Sequence, residues 1–259
     1  MRSAQDIVNE SGYPLQLHLE KLITSSPETR NWRILAKEHR WVNADTKEEG
    51  FIDLIIEREG LILKLVVECK RIIGNWIFLL PKNQSTSTRE TRILTTDYGI
   101  KKSLWTLKSL YPESYEAQYC VMETGGKRDN RTLEKLAGEN LLSLEYLAIQ
   151  EANLFKSVSN RLGIPNYKMD YLPVIVTTAN LQTMTIDRTK VDIENGQVTE
   201  SELMPIEFIR FQKNLATSIE YDKPEMLMTL DQLNRENDRT VLIVQAKSFI
   251  KFISQIEFL

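Results

Sequence analysis

The run from Gly50 to Arg71, GFIDLIIEREGLILKLVVECKR, constrains this chain more than any other. Its segments FIDLIIE and LILKLVVECK are strand-like and largely apolar, and Glu59-Gly60 between them has the character of a tight turn. The spacing predicts a β-hairpin. With a two-residue loop, Arg58 pairs with Leu61, Ile56 with Leu63, Leu54 with Leu65 and Ile52 with Val67, which builds an apolar face. The opposite face pairs Glu57 with Ile62, Ile55 with Lys64, Asp53 with Val66 and Phe51 with Glu68. Asp53, Glu68 and Lys70 then emerge together at the end of the hairpin far from its turn, and Cys69 points the other way.

Two carboxylates brought together repel, and each raises the pKa of the other unless a cation neutralises them. Hard divalent cations take oxygen ligands, and Mg²⁺ is typically held through one or two carboxylates while it keeps several waters. A lysine beside such an ion can orient or deprotonate a water and offset negative charge developing on a phosphate. Asp53 and Glu68 as metal ligands, with Lys70 beside the attacking water, make the chemistry of a phosphodiester hydrolase. An amphipathic hairpin with the same three residues on its wet face would present the same pattern.

Asp53, followed after fourteen residues by Glu68-Cys69-Lys70, resembles the PD-(D/E)XK nuclease superfamily, with Ile52 where the superfamily's name has proline. The resemblance implies a restriction-endonuclease-like fold, α/β, with a mixed central sheet flanked by helices. The acidic residue and the E-x-K would lie on adjacent antiparallel strands. It further implies Mg²⁺, with Mn²⁺ as a substitute, held by Asp53, Glu68 and the Cys69 backbone carbonyl, and Lys70 as a catalytic residue. Such proteins often carry a glutamate on their first helix that reaches the metal. The phrase SGYPLQLHLEKLI resembles that helix, with Glu20 as the catalytic candidate and Gln16, four residues earlier, as the alternative. The implied partner is nucleic acid, DNA foremost, in restriction, another defence system or repair. A nucleic-acid-binding or sensing module that keeps the fold without the chemistry is the competing reading, and the intact acid-acid-lysine set argues against it.

The rest of the chain is read around that hairpin. Its 259 residues, 42% hydrophobic and 27% charged, suit one large globular domain with additional strands in its C-terminal half. The net charge of -3 supplies no global basic field, so nucleic-acid contact requires a local patch. The polar run from Pro81 to Thr96, PKNQSTSTRETRILTT, within a loop at about 81–103, offers Lys82, Arg89 and Arg92 for phosphate contacts. No signal peptide is evident and no apolar run reaches membrane-spanning length. Cys69 and Cys120 lie in apolar strand-like runs, which points to buried thiols and a cytoplasmic protein. Whether the chain forms a homo-oligomer is left open. His18 and His39, the only histidines, are too far apart in sequence to suggest a metal pair and are expected to be structural or exposed.

Helices are expected from Pro14, over Arg131–Leu162, and over Lys247–Leu259 with Phe249, Phe252, Ile253 and Ile256 on one side. Strands are expected over Trp32–Trp41, Ala117–Glu123, Leu172–Thr178, Pro205–Phe211 and Arg239–Ala246, with Asn195-Gly196 as a turn. Gly125-Gly126-Lys127-Arg128 lacks the spacing of a phosphate-binding loop. The C-terminal half is similar in texture to uncharacterised bacterial restriction-like nucleases.

Overall fold

The computed structural model describes residues 3–258 except 43–46, 61, 87–89, 125–126, 130–131, 163–166, 199–200, 216–228, 231–233 and 235–236. Helix α1 (Ala4–Glu10) leads into α2 (Tyr13–Ser25) through Gly12, whose φ of 82° lies in the left-handed region open to glycine. Pro14 occupies the first turn of α2, where its missing N–H costs nothing. Strands β1 (Trp32–Val42), β2 (Glu49–Arg58) and β3 (Leu63–Lys70) form an antiparallel meander. They are followed by β4 (Asn75–Pro81), the hairpin of β5 (Glu90–Asp97) and β6 (Lys102–Tyr111), then β7 (Glu116–Ala117), β8 (Tyr119–Thr124) and β9 (Lys127–Asp129). The long helix α3 (Thr132–Leu162) leads to β10 (Lys168–Thr177). Beyond it come β11 (Asn180–Ile186), β12 (Glu202–Pro205), β13 (Phe208–Asn214), β14 (Asp238–Gln245), α4 (Phe249–Gln255) and β15 (Glu257–Phe258).

The architecture is mixed α/β. The larger sheet runs β1-β2-β3-β10-β14-β13-β7, with β5, β6 and β15 attached through β10. The smaller sheet runs β12-β11-β4-β8-β9. β10 is central and parallel to both β3 and β14, and all its residues except Lys168 are buried, as its unbroken apolar run requires. A proline in such a strand is unexpected. Pro173 stands where the free edge of β10 changes partner, from β5 (through Tyr171) to β14 (from Val174), the position at which a missing N–H costs least.

Each face of the sheet has its own core. On one face Leu54, Ile56, Leu65 and Val67 cluster with Leu19 and Ile23 of α2 and with Phe249, Phe252 and Ile253 of α4. On the other, Ile55 and Val66 cluster with Leu141, Leu144 and Ala148 of α3. Trp41 of β1 stacks on Tyr146 of α3, with centroids 5.2 Å apart, and a Cβ at Gly50 would meet that indole at 2.9 Å. Farther along α3, Glu151 accepts both hydrogen bonds of Lys64, at 2.6 and 2.7 Å, together with those of the Tyr98 and Tyr171 hydroxyls. That buried network fixes α3 across β3 and β10 and leaves the lysine charge paired.

Three expectations change. Arg58 pairs with Leu63 and Leu54 with Val67, so the hairpin connection covers 59–62 and the register moves by two residues. A shift of two preserves the faces, since side chains alternate with period two. The expected Arg58–Leu61 pair falls on a residue outside the described ones. Ile52 is buried as expected, yet it joins Trp41 in the α3-side core and not Leu54 in the other. The second change concerns the polar loop at about 81–103, whose residues 90–97 and 102–103 are strand. Ser and Thr suit a pleated, half-buried surface, and β5 docks through Leu94–Asp97 on Tyr171–Lys168 of β10. Finally, the closing helix stops at Gln255, and β15 pairs with β6 through Glu257–Tyr111 and Phe258–Leu110.

Leu65, fully buried between α2, α4 and the sheet, provides a test of this packing. Leu65→Ala should lower the unfolding free energy by about 2–5 kcal/mol in urea titrations, with little change in the denaturant slope. A loss well below that range would mean that the helices do not seal that face.

Candidate active site

The ladder between β2 and β3 ends at Leu54–Val67. Beyond it β2 continues beside β1 as far as Glu49, and β3 continues beside β10 as far as Lys70. Asp53 spans the opening: its Oδ2 accepts the Cys69 N–H at 2.6 Å, so a side chain takes up a donor of the strand backbone. Glu68 and Lys70, two residues apart on β3, share a face, and Lys70 Nζ lies 2.6 Å from Glu68 Oε1. All three side chains are half-buried.

α2 approaches this opening through Gln16. Gln16 is buried beside Leu19 and Ile23, and its Nε2 donates to the Asp53 carbonyl at 3.2 Å and to Glu20 Oε1 at 3.4 Å. Glu20 lies one turn farther along, with Oε2 ion-paired to Lys37 of β1 at 2.8 Å. Of the two residues weighed on this helix, Gln16 is the one bonded to Asp53.

The electrostatics follow from burial and like charge. Burial raises the Asp53 carboxyl above its ordinary value, and the Cys69 N–H and the Lys70 charge offset only part of this. Glu68 is also raised, by burial first and by the Asp53 charge second, against the charge and hydrogen bond of Lys70. For Lys70, burial favours the neutral form, yet the combined pull of Glu68 and Asp53 leaves its pKa above the ordinary lysine value. Two acids outside the sequence motif contribute: Glu38 of β1 acts on Asp53, and Glu139 of α3 acts on Glu68 and Lys70. Glu38 has a φ of 48°, an uncommon left-handed conformation for a residue with a side chain. No sequence signal marked either residue, since both come from elements outside the hairpin.

Burial also pushes the Cys69 thiol far above its ordinary value, so it stays protonated near neutrality. Both cysteines are free, Cys120 buried and Cys69 half-buried. His18 is exposed, and His39 Nε2 lies 3.2 Å from Gln150 Oε1.

The cations expected to contact phosphate do not gather here. Lys82 is ion-paired to Asp187 at 2.9 Å. Arg92 is buried within β5, where a strand takes the place of the expected loop and turns the side chain inward. Arg89 lies outside the described residues.

Among the described residues no group of three or more His, Cys, Asp and Glu side chains is arranged to hold a metal ion. The pair Asp53 and Glu68 nonetheless fits a hard divalent cation. Both are oxygen donors, both are strained in the charged form, and Mg²⁺ typically needs only one or two carboxylates from a protein. No family model, no curated protein and no solved structure matches this chain. The case for function therefore rests on the residues themselves.

The raised Asp53 pKa makes a stability prediction. A carboxyl whose folded pKa exceeds its unfolded one destabilises the fold once pH rises through the unfolded value, and the cost is complete above the folded one. Asp53→Asn removes that cost and keeps an oxygen for the Cys69 N–H. The variant should melt above the wild type at neutral pH, and the two should converge as acidification protonates Asp53. Thermal melts across a pH series check this; a variant that melts lower at pH 7 would contradict the assigned strain.

Proposed function

We propose that this chain is a metal-dependent nuclease of the PD-(D/E)XK type, with a restriction-endonuclease-like fold, that hydrolyses phosphodiester bonds of nucleic acid, DNA foremost. Restriction, another defence system or repair is its setting. The observation that carries the reading is the convergence of Asp53, Glu68 and Lys70 where β2 and β3 part, with both acids strained by burial and Glu68 also by the Asp53 charge. The order of α2, β1 and then the acidic hairpin, in a mixed sheet flanked by helices, supports it.

Asp53 and Glu68 would hold Mg²⁺, with Mn²⁺ as a substitute. When bound, such an ion would make a coordinated water more acidic than bulk water and supply charge to offset the phosphoryl oxygens. The Cys69 N–H fixes the Asp53 carboxylate in one orientation, and Gln16 ties the same residue's carbonyl to α2. Lys70, held protonated by its two acidic neighbours, acts as a donor and not as a base. It orients the attacking water and stabilises charge that grows on the phosphoryl oxygens as the bond to the leaving oxygen breaks.

The test is cleavage of plasmid and single-stranded DNA in a Mg²⁺ titration. Asp53→Ala and Glu68→Ala should each abolish metal-dependent cleavage while the fold persists. Lys70→Ala should lower kcat by about 10²–10⁴-fold with KM nearly unchanged, because its role lies in the transition state. Wild-type rates in both carboxylate variants would refute the ligand assignment. Binding without cleavage by the wild type would favour the inactive module.

A further inference from the structure

A groove of about 530 Å³ opens beside the candidate site, between the start of α2 and the two segments that leave β3 and β10. Its lining includes Pro14, Leu15, His18, Arg71, Ile73 and Asn180. The floor is built from backbone. Thr178 N–H donates to the Lys70 carbonyl at 3.2 Å, and the Thr178 hydroxyl both receives the Ile72 N–H and donates to the Ile72 carbonyl, each at 2.9 Å. The Asn180 N–H donates to the Gly74 carbonyl at 3.0 Å. The two exit segments are thus pinned to one another immediately after Lys70.

The charge pattern of the groove differs from that of its surroundings. Lys37, Lys70 and Lys82 each have a carboxylate partner. Arg71, next in sequence to Lys70 and half-buried, has no ion-pair or hydrogen-bond partner among the described residues, and neither has the exposed His18. A guanidinium with five donors and no acceptor suits a phosphate, which it can engage bidentately. Beside these polar groups stands Ile73, 74% exposed, with the apolar Leu15 and Pro14 on the opposite wall.

A guanidinium next to an exposed apolar side chain matches a particular form of polyanion. The outer surface of a duplex offers phosphates and sugars, with its bases stacked inside, and gives Ile73 nothing apolar to cover. An unpaired strand offers phosphates and base faces together. We propose that this groove holds an unpaired polynucleotide strand, with a phosphate on Arg71 and His18 and a base against Ile73, and feeds it to Asp53, Glu68 and Lys70. This assignment rests on the nuclease reading and extends it to the substrate.

Fluorescence anisotropy with labelled oligothymidylate, oligouridylate and a DNA duplex tests it, in the Asp53→Asn background so that cleavage does not intervene. Oligothymidylate or oligouridylate should bind more tightly than duplex, and comparison of the two tells whether the strand is DNA or RNA. Adding Arg71→Ala should weaken single-strand binding about tenfold, the scale of one charge-assisted hydrogen bond. It should also flatten the salt dependence by about 0.7 in log–log slope. Arg71→Lys should retain most of that slope, which separates lost charge from lost structure. Ile73→Ser should weaken single-strand binding with the slope intact.

Unchanged affinity and slope in Arg71→Ala, while the wild type still cleaves, would overturn the groove and leave the nuclease reading standing. Tighter binding of duplex than of both single strands would overturn the unpaired-strand assignment. If the wild type neither cleaves nor binds any of the three probes, the nuclease reading falls and the groove assignment with it.

Discussion

The site depends on one hydrogen bond. Where β2 and β3 part after Leu54 and Val67, the Cys69 N–H would lack a ladder partner on that side, and an unpaired buried N–H is costly. Asp53 Oδ2 takes it at 2.6 Å. The bond holds the carboxylate against β3, where burial strains it although the bond offsets part of that strain, and where its charge adds to the burial that already raises Glu68. Lys70 relieves part of that strain and acquires, in exchange, a more firmly held proton. Remove the Asp53 bond and the opening has no reason to keep its two acids together.

Rigidity around the opening comes from both layers. β3 lies between β2 and the buried β10, and α3 is locked across this pair by Lys64, Glu151, Tyr98 and Tyr171. On the other side, α2 and α4 seal Leu65 and Val67. The acids therefore sit on strands with little freedom to relax apart, which is what sustains a perturbed pKa. The carboxyl ends of the parallel pair β3 and β10 lie beside the site, and ligands in open α/β sheets commonly bind near such strand ends.

Much of this was legible in the residues. The period-two pattern of FIDLIIE and LILKLVVECK carries the hairpin and the apolar face of Leu54, Ile56, Leu65 and Val67, which survives a register shift of two because parity does. Beyond the ladder Ile52 lies in the α3-side core, so alternation does not carry Asp53 onto the face of Glu68 and Lys70. The unbroken LPVIVTT predicts a strand covered on both sides, and β10 is one. Illegible were features set by distant partners. A Ser/Thr-rich run reads as loop until β10 offers it an edge, so β5 and the inward turn of Arg92 could not be seen locally. Glu38 and Glu139 reach the site only through the packing of β1 and α3, and Gln16 through the approach of α2. The two-residue loop was the simplest closure for Glu59-Gly60, and Leu63, buried opposite Arg58, required a longer one.

The charge balance narrows where a polyanion could lie. A chain of net charge -3 repels phosphate at long range, so binding needs cations that are not already neutralised. Lys82 is tied to Asp187, whose carboxyl is held well below its ordinary value first by its hydrogen bonds with Thr189 and Lys82, so recruiting Lys82 to a phosphate would forfeit a favourable contact. Arg33, Arg40 and Lys37 are likewise committed to Glu57, Glu49 and Glu20. These pairs are exposed and individually weak, yet each lowers the field that a phosphate would meet. Arg71 carries no such commitment among the described residues and follows Lys70 directly. A strand drawn to Arg71 would lie at the end of β3 that carries Glu68 and Lys70, so the same position that attracts the polyanion would bring it toward the chemistry.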